Sequence, residues 1–177
     1  MKYKNVKNKE VLIKFKETEN AKELDELLYN FEKNINNINQ EYFLKESENP
    51  FIYFLEFPKP EELIKKIGTN EKYSIIPVTC SYTNINHVTS TILRKIKNKV
   101  NIDDTFDLNC YLNTYCLSHS EQEIKQSLTE NLKNIVKIKQ TKNNPDWTFD
   151  IYIVGDITGI NITRSTKNRN KYSHYMN

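Results

Sequence analysis

Residues 144–163 read Asn144-Pro145-Asp146-Trp147-Thr148-Phe149-Asp150-Ile151-Tyr152-Ile153-Val154-Gly155-Asp156-Ile157-Thr158-Gly159-Ile160-Asn161-Ile162-Thr163. Trp147, Phe149, Ile151 and Ile153 alternate with Thr148, Asp150 and Tyr152. That period of two predicts a strand with one buried face. Asn143-Asn144-Pro145-Asp146 predicts a turn before it. Gly155-Asp156 allows a tight reversal into a second extended run over 157–163, so the stretch is expected to form a hairpin.

Working outward, residues 105–112 repeat the pattern, with Phe106, Leu108 and Cys110 set against Asp107, Asn109 and Tyr111. A half-buried strand is expected there. Ser118 and Ser120 each fit a capping box, with Glu121 and Glu123 three residues on. The helix that follows should turn Ile124, Leu128, Leu132 and Ile135 inward, leaving Lys125 and Lys133 nearer the outer side. Ile85, Val88, Ile92 and Ile96 predict another helix, with Arg94 and Lys97 pointing away from its apolar stripe. Residues 73–79 read as a strand, with Pro77 hinting at an edge or a bulge.

The N-terminal part reads as a small α/β unit. Val11, Ile13 and Phe15 alternate in a strand. Leu24, Leu27, Leu28 and Phe31 share one helix face behind Asn20 as N-cap. The Asn-rich run 34–39 is expected to be a loop. Residues 51–57 read as a strand buried on both faces. Pro58 ends it, Pro60 opens a helix, and Gly68 closes that helix.

The chain has 177 residues and a formal net charge of +3, a length that fits one domain or two small ones. No apolar run approaches the roughly 20 residues of a membrane-spanning helix. The first 20 residues are lysine-rich without the apolar core of a secretory signal. Lysine, asparagine and isoleucine are abundant and Ala21 is the single alanine, a bias that an AT-rich genome would produce. The lysine count alone therefore says little about nucleic acid. Its placement says more. Residues 1–71 hold 12 bases and 14 acids, a net of −2, and residues 72–177 hold 14 bases and 9 acids, a net of +5. The last 14 residues, 164–177, contribute Arg164, Lys167, Arg169 and Lys171 and no acid. That basic tail is expected to be disordered or ordered only on binding.

No enzyme signature holds. The three glycines, Gly68, Gly155 and Gly159, form no phosphate-binding loop, and no GxSxG, HExxH or SxxK motif occurs. Glu61-Glu62 fits the first turn of a helix, and Asp103-Asp104 is most simply a turn. Cys80, Cys110 and Cys116 are an odd number without CxxC, which fits a reducing cytosol better than a disulfide framework. Cys110, Cys116 and His119 are close in sequence but lack the paired spacing of a closed zinc site. Cys116 with His119 would be a nucleophile and base, yet no third group orients them. No metal, no cofactor and no catalysis are expected.

Four stretches in order resemble a THUMP domain, the RNA-binding module of tRNA-modifying enzymes. Ile76-Pro77-Val78-Thr79 is similar to its opening strand. Asp104-Thr105-Phe106-Asp107-Leu108 is similar to its TF-containing strand, and residues 118–124 to the capped start of its next helix. Asn144-Pro145-Asp146 followed by residues 151–160 is similar to its closing hairpin. The resemblance implies an α/β (α+β) fold. A ferredoxin-like unit over 1–71 would precede a THUMP-like mixed sheet with helices over 72–163, then the basic tail 164–177.

The whole chain looks like the short stand-alone archaeal THUMP proteins, which resemble the adaptor of the tRNA cytidine acetyltransferase. That implies a cytoplasmic, non-catalytic protein binding the acceptor arm and 3′ end of tRNA for a modifying enzyme, with no membrane partner. Candidate phosphate contacts are Arg94, Lys97, Lys125, Lys133, Lys137, Lys139 and Arg164. Lys137 and Lys139 are expected to project the same way from an extended segment. Tyr115 offers either a stacking surface for bases or ordinary packing. One departure stands out: where the family has an arginine-rich patch and a glycine, this chain reads Asn113-Thr114-Tyr115-Cys116. A second reading stays open on that account, a protein-binding module that has lost RNA affinity, and a third is an enzyme using Cys116 and His119.

Overall fold

The structure, a computed structural model, describes residues 9–39, 41–114 and 119–165. Two units divide between Cys80 and Ser81. In the first, β1 (Lys9–Phe15), α1 (Ala21–Asn36), β2 (Phe43–Glu46), β3 (Ile52–Phe57), α2 (Pro60–Lys66) and β4 (Tyr73–Tyr82) follow in turn. Their strands lie in the order β2-β3-β1-β4, all neighbours antiparallel. This βαββαβ arrangement is ferredoxin-like. Val11, Ile13, Phe15, Leu55, Phe57 and Ile75 join Phe31 and Ile35 of α1 and Leu63 of α2 in one core. Phe15 sits edge-on to Phe31, Tyr53 and Tyr73, the geometry that aromatic quadrupoles favour.

Local signals set the helix ends. The Asn20 side chain accepts from the Glu23 N–H at 3.0 Å, Pro60 stands at the start of α2, and Gly68 takes φ +68 beyond its end. Two expectations change, and one strand was not foreseen. The helix runs to Asn36, three residues into the supposed loop 34–39, because the buried Ile35 extends the apolar face of Phe31. The four-residue β2 has no buried residue and so no apolar pattern to announce it. The unit boundary lies nine residues later than 71, because β4 pairs with β1 from Phe15–Tyr73 to Glu10–Val78. The strand read as opening the second unit completes the first.

The second unit contains α3 (Ile85–Ile96), β5 (Thr105–Leu112), α4 (Glu121–Val136), β6 (Lys139–Gln140), β7 (Trp147–Val154) and β8 (Ile157–Arg164). The strand order is β8-β7-β5-β6. β5 is parallel to β6 and β7, and β7 is antiparallel to β8, so this is the mixed sheet with helices that the sequence implies. Phe106, Leu108, Trp147, Phe149, Ile151, Ile153 and Ile160 pack with Val88, Ile92 and Ile96 of α3 and Ile124, Leu128 and Leu132 of α4. Ile135 does not follow them. It is 55% exposed, and Val136 packs against the core in its place.

The hairpin forms as read, with Val154 opposite Ile157 and Gly155 at φ +58 in the two-residue turn. Arg164, assigned to the tail from sequence, is the last residue of β8 and lies opposite Trp147. Residues 166–177 lie outside the described residues. Among the described residues no helix is long and apolar enough to cross a membrane.

Candidate nucleic-acid interface

The chain path of the second unit sends both helices to the same end of the sheet. α3 starts beside the β7–β8 turn, where the Thr83 N–H donates to the Asp156 carbonyl at 2.9 Å and the Thr83 and Thr158 hydroxyls lie 2.9 Å apart. Asn84 caps it, accepting from the Asn86 and His87 N–H groups. At 1.5 Å per residue it runs about 18 Å back along the sheet. α4 starts beside the far end of β5, where the Leu112 N–H donates to Glu121 Oε2 at 3.1 Å. Ser120 and Glu123 form the reciprocal capping box there. After about 24 Å the chain enters β6, where Lys139 stands opposite Thr105, the first residue of β5. Both helices therefore finish where β5, β6 and β7 begin and β8 ends.

Six of the candidate cations come together by this route. Arg94 and Lys97 sit in the last turn and at the C-cap of α3. Lys133 and Lys137 do the same on α4. Lys139 begins β6 and Arg164 ends β8. All six are exposed. Lys95, Lys99 and Lys142 share this end and are exposed too. Sequence reasoning passed over them, although each lies within a few residues of a candidate that it chose. Part of the pattern has a structural cause, because helix C-termini favour cations. The strand position Lys139 has no such reason.

Lys125 is not brought to that end. It lies one turn into α4 beside Glu121 and Glu123, and Asp156 of the hairpin turn marks the same opposite end. Most of the unit's exposed bases thus share one end, and Lys125 lies at the other among Glu121, Glu123 and Asp156. Lys137 and Lys139 do not alternate along one strand either. Lys137 is the left-handed C-cap of α4, with φ 59 and its N–H on the Lys133 carbonyl, so only Lys139 projects from extended backbone. Tyr115 and Cys116 lie outside the described residues.

Two carboxylates bind the basic end together from inside. Asp146 Oδ2 accepts from the Thr105 N–H at 2.8 Å and from the Thr105 hydroxyl at 3.0 Å, which ties the start of β5 to the start of β7. Asp104 is only 4% exposed. Its Oδ2 accepts from Trp147 Nε1 at 2.8 Å and from the Asn101 N–H at 2.9 Å. The Arg164 guanidinium lies 4.9 Å from the centroid of the Trp147 ring and 3.8 Å from the same oxygen. Asp104, which the sequence presents as a simple turn residue, is a buried anion with an assigned cation.

At the opposite end the Tyr111 and Tyr152 rings stack at 4.9 Å. Burial and the nearby Asp150 carboxylate push the Tyr152 phenol up to about 12. Burial likewise pushes the Cys110 thiol up to about 12, so it is a neutral packing group at neutral pH. His119 Nδ1 lies 3.9 Å from Glu123 Oε2. Among the described residues no three His, Cys, Asp or Glu side chains cluster as a metal would need.

No family model and no curated protein matches the sequence. Solved structures do share its fold. PH1313 from Pyrococcus horikoshii Ot3 is similar with a TM-score of 0.67 and 16% identity, over 88% of this chain and 54% of that one. A 4-thiouridine synthetase solved in complex with RNA and with bound ATP is similar with a TM-score of 0.56 and 14% identity, over 89% of this chain and 42% of that one. The chain spans about half the length of these proteins. Identities this low speak for the fold alone, and together with the two-unit architecture they support a THUMP-like fold.

Proposed function

We propose that this chain is a non-catalytic RNA-binding protein of the cytoplasm. It takes tRNA on the basic end of its second unit and presents the acceptor arm and 3′ end to a modifying enzyme. One observation carries the reading: two helix C-termini and two strand ends, separate in sequence, deliver Arg94, Lys97, Lys133, Lys137, Lys139 and Arg164 to one end of one sheet. Clustered cations at that density are the electrostatic footprint of a phosphate backbone. A protein of the same fold in complex with RNA supports the choice of RNA. The absence of a phosphate loop or nucleophile motif in the sequence supports an adaptor over an enzyme.

The test is a gel shift with tRNA and with random RNA of equal length over a salt series. Lys97→Gln and Lys139→Gln should each lower the magnitude of the salt slope by about one. Lys125→Gln, at the acidic end, should leave binding unchanged. Failure to bind at low salt, or equal affinity for random RNA, overturns the tRNA assignment. A second reading, a protein-binding module that has lost RNA affinity, rests on Asn113 and Thr114 standing where the resembling family has bases. It predicts a protein partner that survives nuclease and high salt in a pull-down.

A further inference from the structure

Resting on that reading, the geometry points to Arg164 as a preformed anion-binding point for an RNA phosphodiester, with Asp104 and Trp147 as its positioning residues. Surface cations normally reach phosphates as mobile chains that lose rotamer freedom on binding. Arg164 is held before any ligand arrives. The Trp147 ring supports one face of the guanidinium, and that ring is fixed in turn by its own Nε1–H on Asp104. The carboxylate stands 3.8 Å from Arg164 Nη2, close enough to attract but beyond a hydrogen bond. Its Oδ2 is already taken up by Trp147 and Asn101. Among the described residues, nothing accepts a hydrogen bond from Arg164. Its planar fork of donors therefore stays free for a bidentate phosphate contact, with 37% of the side chain exposed.

The rest of the cluster fits the same ligand. Across the sheet from Arg164 the strands run β7, β5 and β6. The register across them is Trp147, Phe106 and Gln140, so Lys139, next to Gln140, projects from the other sheet face, whereas the C-termini of α3 and α4 lie on the face that Trp147 and Phe106 share with the helices. Arg164 would fix one phosphate, and Arg94, Lys97, Lys133 and Lys137 on the helix ends would follow the backbone beyond it.

The sign of one substitution separates this assignment from the plain alternative, in which Arg164 exists only to neutralise buried Asp104. Asp104→Asn removes a negative charge from a phosphate-binding end, so charge counting alone makes RNA bind more tightly. Positioning makes it bind more weakly, by roughly three- to tenfold, because the guanidinium loses its orienting partner.

The experiment is fluorescence-anisotropy titration of tRNA with the full chain and with Asp104→Asn, Arg164→Lys and Arg164→Gln, each in a salt series, with circular dichroism melts to verify folding. Arg164→Lys keeps the charge. It should weaken binding roughly three- to tenfold at an unchanged salt slope, since an ammonium cannot stack or fork. Arg164→Gln should also reduce the slope by about one. Tighter binding by Asp104→Asn overturns the positioning role while RNA binding stands. Wild-type affinity in Arg164→Lys overturns it too, and decides the matter if Asp104→Asn does not fold. If the full chain itself binds no RNA at low salt, the functional reading falls and this assignment with it.

Discussion

Lys137 is a lysine in a conformation that favours glycine. Its φ of 59 is the left-handed region, which costs an ordinary residue about 1–2 kcal/mol. Lys137→Gly should stabilise the protein by about 0.5–1 kcal/mol, since glycine is the preferred residue at such a helix end but loses more chain entropy on folding. In the same variant the salt slope of RNA binding should fall by about one, because a basic-end cation is gone. Thermal melting and the gel-shift series measure the two opposite effects on one sample. Tyr152 supplies a pH test. Its folded-state value of about 12 lies above the ordinary 10.0, so its contribution to stability is intact below pH 10 and fades as pH rises through 12. Phenolate absorbance should show this tyrosine ionising late in the folded protein and near the ordinary value in denaturant.

Residue identity alone was a mixed guide at this scale. The exposure of Arg94 and Lys97 was legible, because helical periodicity places a side chain on or off an apolar stripe. The role of Asp104 was not. Its partners Trp147 and Arg164 are 43 and 60 positions away, and nothing in a local window reports a contact at that separation.

At the scale of elements, end signals and periodicity did most of the work. The capping box of α4 was readable in two registers, from Ser118 with Glu121 or Ser120 with Glu123, and the second is present as a pair of bonds, 3.2 Å from the Glu123 N–H to Ser120 Oγ and 2.7 Å from the Ser120 N–H to Glu123 Oε2. Ser120→Ala should cost about 1 kcal/mol, read from chemical denaturation. The Ser120 bonds also hold the Glu123 carboxyl below the usual carboxylate range. That contribution is present above the unfolded value of about 4.3 and is lost as pH falls through the lowered folded value. The hairpin of β7 and β8 was legible for similar reasons, since alternation and Gly155 are both local. β2 and β6 were not. Four residues with none buried and two residues with none buried leave no period to show, and their pairing with β3 and β5 makes them strands.

The whole molecule adds the distribution of charge. A net of +3 over 177 residues says little about a polyanion, yet the second unit gathers most of its bases at one end of the sheet, where two of the acids, Asp104 and Asp146, are buried. If the six candidate cations at the basic end all engage phosphates, the logarithm of the binding constant should fall with the logarithm of salt concentration at a slope between about −4 and −5.5. A slope near −1 would mean that one contact at most is made, and the basic end would then be a consequence of helix dipoles. Lys125, absent from this end, should leave the slope untouched.

Sequence by itself determined the α+β class, the alternating strands, the two amphipathic helices of the second unit and the hairpin. Each depends on residues within a turn or two of one another, where 3.6- and two-residue periods are visible. Tertiary structure decided which unit β4 completes, which lysines share an end and what Asp104 does. Those outcomes depend on strand order and chain direction, which bring together residues tens of positions apart, and a one-dimensional pattern holds no record of that distance.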